Sequence, residues 1–106
     1  LFAAAEDLWE RRRRERAAAA EARRVAALNA LAEREDETWR EVDALIQRSQ
    51  AKAYEEAVEL LKQLQDLAEY QGRQAAFEER LDQIRDQYSR RYSLMRRLRN
   101  AGLIED

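Results

Sequence analysis

Carboxylates are the residues of this sequence whose spacing could do chemistry. Glu55 and Glu56, Glu78 and Glu79, and Asp82 and Asp86 stand close together along the chain. On a helix Asp86 lies one turn beyond Asp82, and Asp82 one turn beyond Glu78, so the three share a face. Inward carboxylates of this kind hold di-metal centres in helical bundles, where Glu-x-x-His elements complete the ligand set. This sequence has no histidine and no cysteine. Disulfides, zinc held by cysteine or histidine of this chain, thiol nucleophiles and imidazole bases are therefore excluded. No glycine-rich phosphate loop occurs either. The carboxylates fall opposite the apolar stripes described below and read as solvated helix surface. The expectation is a protein that is not an enzyme and carries no cofactor and no metal.

Arginine is the second chemical signal. The basic residues are 18 arginines and two lysines, Lys52 and Lys62. Arg90, Arg91, Arg96, Arg97 and Arg99 fall within ten residues that hold no acid. Such a cluster can contact phosphates, although it lacks the interleaved lysines and aromatics of single-strand binders, with only Tyr88 and Tyr92 near. The same arginines also suit the C-terminus of a short helix, whose dipole favours positive charge there. A second run, Glu10 to Arg16, is wholly charged. Residues 1–40 balance nine acids against nine bases, so this run reads as a solvated helix face. The net charge of −2 gives no global field toward nucleic acid or membrane.

Helices must position all of these groups. The chain lacks proline, has glycine only at positions 72 and 102, and is 40% charged. Tyr54, Ala57, Val58, Leu61, Leu64, Leu67 and Ala68 recur at steps of three and four, which is one helical face. Ala53 and Leu60 broaden it, as suits a helix packed against two neighbours. Gly72 interrupts the stripe, as a residue just past a helix end does. The stripe resumes as Phe77, Leu81, Ile84 and Tyr88. Two apolar stripes joined by so short a connection bury each other by folding antiparallel.

Upstream, a long helix is expected from residue 3 to about 35. Leu8 and Trp9 are its first large apolar residues, and Val25, Leu28 and Leu31 follow an alanine-rich stretch. Thr38 and Glu41 match a capping box before Trp39, Val42, Leu45 and Ile46, which predicts a short helix at about 38–48 with Trp39 in the core. Ser49 is a candidate cap for the next helix. Ser93 is a candidate cap for a terminal helix carrying Leu94, Met95 and Leu98. Gly102 then stops that helix, with Leu103 as its hydrophobic partner. The predicted fold is all-α: a long N-terminal helix plus an antiparallel helical hairpin, coiled-coil- or bundle-like. The predicted division is an arm, 1–35, and a hairpin domain, 36–106.

From Tyr54 onward the chain resembles the C-terminal helical segment of bacterial SWIM zinc-finger family proteins. The residues concerned are Tyr54-x-x-Ala57-Val58-x-x-Leu61-x-x-Leu64 and Gly72-Arg73-x-x-x-Phe77-x-x-x-Leu81-x-x-Ile84-Arg85. Arg90-Arg91, Leu94, Leu98 and Gly102-Leu103 continue the likeness. The Cys-x-Cys and Cys-x-His elements that define the family are absent from this chain. The resemblance therefore implies a helical appendage apart from the zinc module, with no binding role assigned to any residue here. A start at leucine rather than methionine suggests an excised or processed chain, and the arginine and alanine usage suggests a GC-rich bacterial genome.

The expected function is a non-catalytic helical scaffold or protein–protein interaction module in the cytoplasm. Its expected partner is a second copy or another helical protein, bound through Leu8, Trp9, Val25, Leu28 and Leu31, with the arms meeting in a homodimer. The alternative is an accessory domain that binds nucleic acid through Arg90, Arg91, Arg96, Arg97 and Arg99. No apolar run approaches the ~20 residues that span a bilayer, so no membrane partner is expected.

Overall fold

The structure, a computed structural model, describes residues 2–105, which form five helices and no strand. They are α1 (Phe2–Glu33), α2 (Glu35–Gln47), α3 (Ala51–Gln71), α4 (Gln74–Gln87) and α5 (Tyr92–Asn100). The all-helical expectation holds. The chain divides into two compact units, Leu1–Ala30 and Leu31–Asp106, so the division falls within α1 rather than after residue 35.

In the second unit α3 is the hub, and α2, α4 and α5 each pack against it. The stripe explains why. Ala57 and Leu61 are fully buried, Leu64 and Leu67 nearly so, and Ala53, Tyr54, Val58 and Ala68 are buried as well. Leu60, at the edge of the stripe, is only half-buried. Each neighbour contributes its own apolar face. Val42 and Ile46 come from α2, Phe77 and Leu81 from α4, and Leu94 and Leu98 from α5. Ile84 is half-buried, and Tyr88, just past the end of α4, is buried.

The α3–α4 hairpin closes at Gly72, whose φ of 69° is left-handed. Its N–H donates to the Glu69 carbonyl, and the Arg73 N–H donates to the Ala68 carbonyl. That pair is a Schellman motif, which satisfies carbonyls the helix end leaves open. A Cβ at this position would meet no atom within 4 Å, so backbone conformation alone asks for glycine. Gly102 ends α5 in the same way, with φ 75° and the Leu103 N–H on the Leu98 carbonyl. Leu98 and Leu103, the two positions of the motif's hydrophobic pair, are both buried.

All three expected hydroxyl caps are corrected. The first is Thr38, which lies inside α2, since that helix starts at Glu35. Its Oγ1 and its N–H both donate to the Arg34 carbonyl, at 2.8 and 2.9 Å. This back-bond satisfies a buried hydroxyl instead of opening the helix. The start is marked by Glu35, Asp36 and Glu37, whose charges suit the positive end of the helix dipole. Ser49 does not cap α3 either. It takes φ 55°, the left-handed residue that ends α2, and extended Gln50 precedes α3 without a side-chain cap. Ser93 lies in the first turn of α5, and its Oγ accepts from the Arg97 guanidinium.

Candidate interaction surfaces

Every residue from 6 to 24 of α1 is exposed. Leu8 is 48% and Trp9 62% accessible, high values for large apolar side chains. Arg13, one turn on, holds its guanidinium 5.1 Å from the Trp9 ring. That stacking covers one face of the indole and leaves the rest to solvent. The Glu21–Arg24 pair is exposed on both sides and contributes little. Val25 is half-buried, whereas Leu28 and Leu31 are buried within the chain. The expected exposed set of five therefore reduces to Leu8 and Trp9, with Val25 at its margin. Leu28 and Leu31 leave it because both are buried.

The arginine cluster separates into two kinds of residue. Arg91 is half-buried and directed inward. Its Nη1 donates to the Ile46 carbonyl at 2.7 Å, to Ser49 Oγ at 2.6 Å and to Tyr54 Oη at 3.4 Å. It thus places a positive charge on the C-terminal end of α2, where the helix dipole favours it. It also lies 5.1 Å from the Tyr88 ring. Arg97 bonds Ser93 and stands 3.7 Å from Glu55. Arg90, Arg96 and Arg99 are exposed, as is Tyr92. Arg91 and Arg97, both predicted phosphate ligands, are thus engaged in holding helices together.

Trp39 is a core residue, 6% accessible, with its ring 5.7 Å from Phe77. The Arg80 guanidinium lies 4.5 Å over the indole and 4.0 Å from Asp36. Nearby, Tyr88 Oη donates to Asp43 Oδ1 at 2.5 Å, and Gln47 donates to Asp43 Oδ2 at 2.8 Å. Burial, and then the bond to Asp43, raise the Tyr88 hydroxyl above its usual 10.0. A group raised in the folded state gives stability that is complete below the unfolded value and is lost as pH rises through the folded one. Above pH ~10, the value of a free phenol, Tyr88→Phe should therefore lose stability with rising pH less steeply than the parent chain. Urea midpoints measured at stepped pH check this. Equal pH slopes for the two chains would remove Tyr88 as the titrating group.

Glu55, Glu56, Glu78, Glu79, Asp82 and Asp86 are all exposed. Among the described residues no three acidic side chains converge as a metal site. Between α2 and α3 runs a groove of about 410 Å³, lined by Leu45 and Leu60 and rimmed by Glu41, Glu55, Glu56, Glu59 and Lys52. Among the described residues no helix is long and apolar enough to cross a membrane. Comparison of the chain with family models, with curated proteins and with solved structures finds no match.

Proposed function

We propose that the protein is a non-catalytic helical interaction module that self-associates through its N-terminal arm. The observation that carries this reading is the accessibility of Leu8 and Trp9 on a helix exposed at every position from 6 to 24. A helix in a protein owes most of its stability to the burial of a face, and residues 6–24 of this one bury none. Exposed apolar side chains next to charged flanks mark contact surfaces. A two-fold dimer is the commonest closed assembly and covers the same patch on both copies. The lack of histidine and cysteine supports a role without catalysis. The likeness to the helical segment of SWIM zinc-finger proteins is compatible with this role and would make the chain a helical appendage. A nucleic-acid role has weaker support, because Arg91 and Arg97 already hold intrachain partners.

Far-UV circular dichroism on dilution tests the proposal. The arm should lose helix as the dimer dissociates, so the helical signal per residue should fall between about 100 μM and 0.1 μM, a span bracketing micromolar affinities. A signal that stays flat over that span, in a chain that is monomeric throughout, would overturn it.

A further inference from the structure

We infer that the groove between α2 and α3 receives the arm of a second copy of this chain. The inference rests on the reading that the arm mediates self-association, and it replaces arm-to-arm contact by contact between arm and groove. The groove offers an apolar floor, Leu45 and Leu60, beneath the carboxylates of Glu41, Glu55, Glu56 and Glu59. Lys52 is the opposing charge on its rim. Two of the four glutamates have partners, Glu55 with Arg97 at 3.7 Å and Glu59 with Lys62 at 3.5 Å. Glu55 and Glu59 are about two-thirds exposed, so both carboxylates still face solvent, and the Glu59–Lys62 pair, exposed on both sides, exchanges readily for another.

The arm has the complementary chemistry. Residues 10–16 carry five arginines against two glutamates, directly after Leu8 and Trp9. On one helical face Trp9 is followed by Arg12, Arg13 and Arg16 at steps of three and four. An indole on the Leu45–Leu60 floor would bring those guanidiniums to the glutamate rim. Two arms laid parallel would instead set arginine run against arginine run, which repels. Where each copy fills the other's groove, every groove is filled once and the assembly closes at a dimer.

Light scattering on size-exclusion fractions of the full chain tests this with charge reversals. Glu55→Lys with Glu56→Lys and Glu59→Lys should weaken the dimer by about tenfold or more, since like charges then face each other. Arg12→Glu with Arg13→Glu and Arg16→Glu should do the same. A chain carrying both sets should recover the dimer, which a merely misfolded variant cannot do. Undiminished association of the groove variant, with Trp9→Ala monomeric, would overturn the groove and leave the arm reading standing. A parent chain that is monomeric at every concentration would overturn both.

Discussion

Leu61→Ala and Phe77→Ala should each unfold at a clearly lower urea concentration than the parent chain. Leu61 is fully buried on α3, the helix against which α2, α4 and α5 pack. Removing its isopropyl group loses transfer energy and leaves a cavity, about 2–5 kcal/mol for a buried leucine. Phe77, 5% accessible, stands against Trp39 with the rings tilted at 44°. Its truncation should cost about 3–5 kcal/mol, because the partner ring loses one of its walls. Domains of this size are stable by only about 5–15 kcal/mol, so either change is a large share of the total. Equilibrium urea titrations of the three chains give the losses directly, provided the slopes agree. Losses under about 0.5 kcal/mol at both sites would mean that neither residue is in a packed core.

Trp9→Ala should weaken self-association by about 30-fold or more, the ~2 kcal/mol of an interface hot spot. Tryptophan dominates interfaces because it brings a large rigid surface at small entropic cost. In the single chain Trp9 is 62% accessible and touches Arg13 of its own helix, so its substitution leaves the core intact. The expected signature is therefore a raised dissociation constant in dilution calorimetry with an unchanged urea midpoint at low concentration. Leu8→Ala should act in the same direction and less strongly, since leucine buries less area. An unchanged dissociation constant for both variants would place the contact surface elsewhere.

The parts of the fold legible in the sequence are those set by local rules. The stripe from Tyr54 to Ala68 specifies α3 because burial must recur with the helix period. Gly72 and Gly102 mark helix ends because only glycine takes the left-handed conformation cheaply. Thr38, Ser49 and Ser93 are misread for a local reason too. A hydroxyl that caps a helix in one setting bonds a carbonyl one turn back, or accepts from an arginine, in another. Glu35, Asp36 and Glu37 form the acidic first turn of α2, a start signal as good as a hydroxyl cap. Arg91 and Tyr88 defeat the sequence reading differently. Their partners Ile46 and Asp43 each lie 45 positions away, beyond the reach of any periodicity. So a cluster that reads as phosphate-binding includes a residue that ties the turn after α4 to the end of α2. Of the candidate interface, Leu8 and Trp9 stand out in sequence as large apolar residues beside a charged run. Leu28 and Leu31 are buried, and nothing in their spacing separates them from the exposed residues of the same helix.

Sedimentation equilibrium of the unmodified full chain at several micromolar concentrations tests self-association most directly. A dimer in reversible exchange with monomer is the predicted result, with the dimer fraction falling on dilution as mass action requires. A single species of monomer mass at every concentration would contradict it.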